Sequence, residues 1–111
     1  MQIAERLKDG YTILDLTGDI DLANSPMLRK ALLGEIKEKK TPKVFLNLKG
    51  VRYIDSSGIA TLVEGLKAAR ETTGTRLILY GLSTSVREVM QLSRLQKLFE
   101  IFDSEEQALA S

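Results

Sequence analysis

The spacing of hydrophobic and polar residues predicts two strands at the start of the chain. Residues 2–8 and 11–17 each have the composition and length of a strand, and the second is mostly apolar on its inward positions. Between them lies Asp9-Gly10, a dipeptide that readily adopts the positive φ angles of a tight turn. We therefore expect an antiparallel hairpin.

A helix is predicted after residue 25. Ser25 is the predicted N-cap, and Pro26 fits the first helical position, where a missing N–H breaks no helical hydrogen bond. The helix should end at Thr41-Pro42, because the proline ring disfavours a helical residue before it. Apolar residues recur on one face at helical spacing: Leu28, Ala31, Leu32 and Ile36.

The remaining chain alternates strands and helices. Strands are predicted at 43–48, 77–80 and 99–102, the last at an edge, with helices at 57–70 and near the C-terminus. Ser85 with Glu88, and Ser104 with Gln107, have the spacing of a helix-capping box. Alternation of this kind favours parallel strands joined by right-handed crossovers. The predicted fold class is α/β: a mixed β-sheet with a leading hairpin, flanked by about four helices.

Size and composition fit one folded domain over residues 1–111. The chain is 43% hydrophobic and 28% charged, which is ordinary for a folded protein. Its formal net charge is +1, so we expect no direct binding to nucleic acid. The lysine cluster at 37, 39, 40 and 43 is interpreted as a solvated helix end, since no aromatic residue is interleaved with it.

No apolar run is long enough for a membrane span, and the first residues lack the layout of a secretion signal, so a cytoplasmic location is expected. The sequence contains no cysteine and no histidine. Disulfides, thiol catalysis, Ser-His-Asp triads and imidazole metal ligands are thereby excluded. We expect no catalytic residue, metal or cofactor, and a reactive serine would need activation by another protein.

The segment Asp55-Ser56-Ser57-Gly58 stands at the predicted start of an amphipathic helix. A helix N-terminus carries unpaired N–H groups and the positive end of the peptide dipoles, which offset an added phosphate by about 0.3–1 kcal/mol. One hypothesis is therefore phosphorylation at one of the serines. The other is that Asp55 and the serines simply cap the helix. Gly58 lowers helix propensity, and we expect it to clear space beside Ser57 for an approaching surface.

An acidic pair, Asp19 and Asp21, follows the second predicted strand. Both residues are expected at the same sheet edge as Asp55, where ligand crevices form in α/β folds. They would bind a cation or the basic groups of a partner, or Asp would serve as the N-cap of the next helix. The residues themselves leave both interpretations open.

The order and spacing of three stretches are typical of a known family of domains. These stretches are Gly18–Asp21, Val44–Leu48 and Val51–Ile59. Together they resemble the STAS domain of bacterial anti-sigma factor antagonists, and the likeness covers nearly the whole chain. The mixed sheet flanked by helices that this family has agrees with the fold predicted from the pattern.

The resemblance implies a partner-switching cycle. Ser57 would accept phosphate from a serine/threonine kinase that is also the anti-sigma factor, and the unphosphorylated protein would bind this kinase and free the sigma factor. A PP2C-type phosphatase would reset the cycle. By the same resemblance, the surface that faces the partner would comprise Asp21, Asp55, Ser56, Gly58, Ile59 and Leu62, with Ser56 as a bystander to the modification.

Three alternatives come from other classes of protein. A serine hydrolase lacks a histidine base, and lysine is the only other base candidate, with none close to the serines in sequence. A metal-dependent phosphotransfer protein built on Asp19, Asp21 and Asp55 has no convincing lysine after the last core strand. A third alternative is a non-switching STAS subunit of a lipid-transport or stressosome-type assembly.

Overall fold

A five-stranded mixed sheet forms the centre of the computed structural model, which describes residues 1–72 and 74–111. The strands lie in the order β1-β2-β3-β4-β5; β1 is antiparallel to β2, and the later neighbours are parallel. Their bounds are β1 Gln2–Lys8, β2 Tyr11–Thr17, β3 Lys43–Gly50, β4 Arg76–Tyr80 and β5 Glu100–Phe102. The helices are α1 Ser25–Leu33, α2 Ser56–Glu71, α3 Thr84–Leu92 and α4 Glu105–Leu109. The predicted fold class is confirmed.

The leading hairpin is confirmed in detail. Lys8 pairs with Tyr11 across the turn, and the two turn residues Asp9 and Gly10 have φ angles of 54° and 82°. Positive φ at both positions gives the turn the twist that flanking strands require. This hairpin makes β1 one edge of the sheet.

Helices cover the two faces of the sheet unequally. Helices α1, α2 and α3 pack on one face over a large core that includes Leu14 and Leu46. The short α4 covers the other face, where Ala108 packs on Ile13 and Phe45. Because β3 and β4 are covered on both sides, their central residues are buried on both faces, as is typical of parallel strands.

Two predicted helix starts were wrong. The N-cap of α1 is Asn24, and Ser25 is already helical, with its hydroxyl donating to the Asp21 carbonyl at 2.6 Å. The N-cap of α3 is Ser83, whose hydroxyl accepts from the Val86 N–H at 3.2 Å, so Ser85 does not form a capping box. The cap predicted at the last helix is confirmed, with the Ser104 hydroxyl accepting from the Gln107 N–H.

The first helix ends earlier than the prolyl signal predicts. After Leu33 the chain continues as a π-helical turn, Gly34–Glu38, and Lys39 ends it with an N–H donated to the Gly34 carbonyl at 3.0 Å. The lysines at 37, 39 and 40 are exposed, as expected for a solvated helix end. Lys43 departs from that expectation, because it is a half-buried residue of β3 whose ammonium lies 4.9 Å from the centre of the Tyr11 ring. None of the helices in residues 1–72 and 74–111 combines the length and hydrophobicity that crossing a membrane requires.

A polar network ties the hairpin to α4. Arg6 contacts the carboxylates of Asp15 and Glu105, each at 2.5 Å. Asn47 donates a further hydrogen bond to Asp15, and the buried Tyr80 hydroxyl donates to Glu105. The Arg6 guanidinium lowers the pKa of both carboxyl groups, and burial together with Glu105 raises the pKa of Tyr80.

Acid is therefore expected to destabilise the fold through these groups. Carboxyl groups with a lowered folded pKa contribute stability above their ordinary values of 3.8 for Asp15 and 4.5 for Glu105, and lose it as the pH falls through the folded values. Urea denaturation should show stability falling from about pH 5 to about pH 3, with a shallower fall in Arg6→Gln. Arg29→Gln is the control, because its pair with Glu64 is solvent-screened. An unchanged slope in Arg6→Gln would contradict the assignment.

Candidate functional site

Two loops lie side by side at the carboxyl ends of β2 and β3. Ile20 donates its N–H to the Tyr53 carbonyl at 2.9 Å, and Asp55 donates its N–H to the Ile20 carbonyl at 3.1 Å. Ile20 and Ile54 form a parallel bridge that extends this pairing. The acidic loop and the serine motif therefore share one sheet edge, as predicted.

The Asp55 carboxylate fastens both loops and starts α2. Its Oδ1 accepts from the N–H groups of Ser57 at 2.9 Å and Gly58 at 3.1 Å. Its Oδ2 accepts from the N–H of Leu22, in the neighbouring loop, at 3.2 Å. The capping role predicted for Asp55 is confirmed, and the two serines do not cap the helix.

The two serines differ in exposure. Ser56 is the first residue of α2 and is exposed, whereas Ser57 is the second and is half-buried. Within residues 1–72 and 74–111 neither serine hydroxyl makes a hydrogen bond, so both are available to an approaching group. The positive end of the helix dipoles and the Asp55 carboxylate lie beside Ser57.

Gly58 faces the interior of the protein. A Cβ at this position would lie 2.6 Å from the Ile20 carbonyl oxygen and 2.6 Å from side-chain atoms of Ile20 and Ile54. The expectation that Gly58 clears space for a partner is therefore wrong, because the protein itself fills that space. Ile59 is half-buried against the main core, and Leu62 is buried beneath the surface.

Asp21 caps a turn in the described structure. Its carboxylate accepts from the Asn24 N–H at 3.0 Å, and its carbonyl accepts from the Ser25 N–H at 2.8 Å. Across the part of the chain that the structure describes, no three Asp or Glu side chains come together as metal ligands. Asp21 thus stabilises a polar turn ahead of α1, whose N-cap is Asn24, so the prediction that an Asp of this pair caps the helix is wrong.

Two residues at this site were missed by the sequence analysis. Leu22 is 75% exposed and Tyr53 is 52% exposed, although both are large and apolar. They flank Asp55, since Leu22 donates to its carboxylate and Tyr53 precedes it by two positions. Exposed apolar residues around a polar centre are typical of protein interaction sites. The only signal in the sequence was that each of these apolar residues lies in a predicted loop, where no periodic pattern indicates whether a side chain is exposed or buried.

Removal of the Asp55 side chain should cost stability. Asp55→Ala loses the N-cap of α2 and the link to Leu22, so we expect the free energy of unfolding to fall by about 1–2 kcal/mol. Urea denaturation measures this, with Ser56→Ala as the exposed neighbouring control, expected within about 0.5 kcal/mol of the unaltered protein. Equal stability of the two variants would show that the cap contributes little.

Comparison with known proteins gives consistent matches over most of the chain. The family model of the STAS domain matches residues 2–108. An anti-sigma F factor antagonist of Paenibacillus polymyxa is 27% identical over 98% of this chain and 92% of its own. An anti-sigma-B factor antagonist of Listeria monocytogenes is 30% identical over 91% of this chain and 86% of its own. The crystal structure of tm1081 from Thermotoga maritima superposes with a TM-score of 0.89 at 25% identity, covering 97% and 92% of the two chains.

Proposed function

Because the chain belongs to the STAS-domain family and, within it, to the anti-sigma factor antagonists, we propose that it is a partner-switching regulator controlled by phosphorylation of Ser57. Anti-sigma factor antagonists are regulatory proteins without catalysis of their own. The hydrolase and phosphotransfer hypotheses are set aside on this basis.

In the proposed cycle, residues 1–111 act as one STAS domain in the cytoplasm. The unphosphorylated protein binds an anti-sigma factor serine/threonine kinase and so releases a sigma factor. The kinase transfers phosphate to Ser57, which switches binding off, and a PP2C-type phosphatase restores the binding form. No direct contact with nucleic acid is required.

The observation that carries the proposal is the position of Ser57, the second serine of the Asp55-Ser56-Ser57-Gly58 motif, in the first turn of α2 with its hydroxyl unbonded. The Asp55 carboxylate already accepts hydrogen bonds from the N–H groups of Ser57 and Gly58. A phosphate on Ser57 would therefore not receive hydrogen bonds from these two groups. It would instead stand as a hydrated dianion beside the Asp55 carboxylate and the exposed Leu22 and Tyr53. Covering such a group with a partner is costly unless the partner supplies a cation.

The proposed partner surface divides into exposed contacts and buried supports. Asp21 and Asp55 contribute negative charge, and Ser56, Leu22 and Tyr53 contribute exposed area. The buried or half-buried supports are Gly58, Ile59 and Leu62. An interface with exposed apolar residues and a small charged centre fits a protein partner whose docking is sensitive to added charge.

Phosphopeptide mapping tests the modification directly. With the cognate kinase and ATP, we expect phosphate on Ser57, no incorporation in Ser57→Ala, and full incorporation in Ser56→Ala. The matched pair separates the half-buried hydroxyl from its exposed neighbour at the same helix end. Phosphate on Ser56, or stable co-purification with a permease that ATP does not change, would contradict the proposed cycle.

A further inference from the structure

The outer edge of β1 is open along its whole length. Within residues 1–72 and 74–111, β1 pairs with β2 and with no other strand, and its register runs from Gln2 to Lys8 without a bulge. Every residue of β1 except the half-buried Ile3 is exposed, and Leu7 is 77% exposed. Proteins usually shorten, bulge or cover an edge strand, because its unpaired N–H and C=O groups pair readily with other strands. The opposite edge follows that rule, since β5 has only 3 residues.

The tight turn determines which backbone groups of β1 face outward. A two-residue turn at Asp9-Gly10 makes Lys8 and Tyr11 a hydrogen-bonded pair. In an antiparallel ladder such pairs alternate with pairs that exchange no hydrogen bonds. The even-numbered residues of β1 therefore bond to β2, whereas the odd-numbered residues between 3 and 7 direct their N–H and C=O groups away from the sheet. These groups are able to form a second antiparallel ladder.

The charges of β1 select the register in which a second copy of the chain fits. Two identical strands related by a two-fold axis perpendicular to the sheet place even residues opposite even residues and odd opposite odd. With the axis at Ala4, Ile3 exchanges hydrogen bonds with Glu5 of the second copy, and Gln2 faces its Arg6. No like charges then lie directly opposite, whereas an axis at Glu5 or Arg6 would oppose identical charges. An axis at Ile3 would shorten the paired segment.

The apolar side chains on the helical face of β1 gain contacts in this register. Leu7 lies on the same face as Ile3, which packs against the main core, because alternate residues of a strand share a face. Beside Ile3 a groove of about 870 Å³ with a mostly apolar surface opens between β1 and α1. Leu7 of the second copy lies opposite Met1 and diagonal to Ile3, at the mouth of this groove. Glu5 keeps its ion pair with Lys39 at 3.3 Å.

We propose that two copies of this chain pair through β1, antiparallel and with Ala4 on the two-fold axis, so that their two sheets form one continuous sheet. The outward backbone groups, the absence of opposed like charges and the covering of Leu7 all favour the same occupant. None of the residues assigned to the partner surface lies on β1, so each copy keeps its own Ser57 site. The pairing itself does not depend on the proposed phosphorylation cycle.

Sedimentation velocity over a range of concentrations tests the pairing on the unaltered protein. We expect twice the mass of one chain at high concentration and a single chain on dilution. Leu7→Glu should weaken dimerisation at least about tenfold, because a charge replaces the apolar contact. Leu92→Glu is the matched control, since Leu92 is 85% exposed at the end of α3, and it should dimerise as the unaltered protein does. Circular dichroism checks that both variants are folded. An unaltered protein that stays monomeric at about 1 mM, or equal effects of the two substitutions, overturns the proposal.

Cysteine cross-linking tests the register. The chain has no cysteine, so each variant carries a single thiol. In Ala4→Cys the two Cα atoms lie about 4.5 Å apart across the axis, within the range that a disulfide spans. In Gln2→Cys, on the same face of β1, they lie about 14 Å apart, because each Gln2 is opposite Arg6. We expect oxidation to cross-link Ala4→Cys at least about tenfold faster than Gln2→Cys. Equal rates for these two, or faster cross-linking of Glu5→Cys, contradict the proposed pairing.

Discussion

Ser57→Asp is expected to weaken binding to the anti-sigma factor about a hundredfold, which corresponds to about 3 kcal/mol. The reason is that the new carboxylate would be covered by the partner while Asp55 stands beside it and holds the nearby N–H groups. Ser57→Ala should bind nearly as the unaltered protein does. Isothermal titration calorimetry with the anti-sigma factor kinase of the proposed cycle, without ATP so that Ser57 stays unmodified, measures all three affinities.

Ser56→Asp is the matched control for this experiment. It adds the same charge at the same helix end, but at an exposed residue. We expect a loss of affinity about tenfold smaller than that of Ser57→Asp, because the charge keeps its water. If both aspartates weaken binding equally, net charge rather than the position of Ser57 controls the interaction. If Ser57→Asp binds normally, the proposed switch is wrong.

Gly58→Ala is expected to lower the free energy of unfolding by about 2 kcal/mol. An added Cβ would come within 2.6 Å of the Ile20 carbonyl oxygen, which is backbone and cannot turn aside, and of side chains of Ile20 and Ile54. The better helix propensity of alanine returns at most about 1 kcal/mol of the loss. The loop that carries Asp21 and Leu22 should shift, so binding to the anti-sigma factor should weaken as well.

The same substitution at Gly34 provides the opposite control. Gly34 has helical φ and ψ angles, and a Cβ there meets only the end of the Glu38 side chain at 4.0 Å. Gly34→Ala should therefore leave stability unchanged or raise it by up to about 1 kcal/mol. Urea denaturation compares the two variants. If the Gly58→Ala protein is as stable as the Gly34→Ala protein, the loop that contains Ile20 moves aside without loss of stability.

The fold could be predicted from local sequence patterns because the patterns of neighbouring elements all indicate the same arrangement. The turn at Asp9-Gly10 and the alternation of strands with helices were sufficient for the mixed sheet. The helix starts were less predictable, since Ser83 and Ser85 are equally able to cap. The residue at which the chain leaves the extended conformation decides between them, and that depends on where the preceding strand ends.

The site was predictable only in part. The spacing of Asp55 and Ser57 before an apolar helical face was visible in the sequence, but the inward direction of Gly58 required the position of Ile20. Leu22 lies in a loop, where an apolar residue carries no periodic signal.

The carboxylate of Asp55 joins the loop at Leu22 to the first turn of α2 through three N–H donors. The two segments are thereby coupled mechanically. A protein that binds at Leu22 also affects the orientation of the Ser57 hydroxyl. In the proposed cycle, binding of the partner at Leu22 and transfer of phosphate to Ser57 would both depend on the Asp55 carboxylate. Because the hydrogen bond at position 22 comes from the backbone N–H, a different side chain there would alter the choice of partner and keep the link to Asp55.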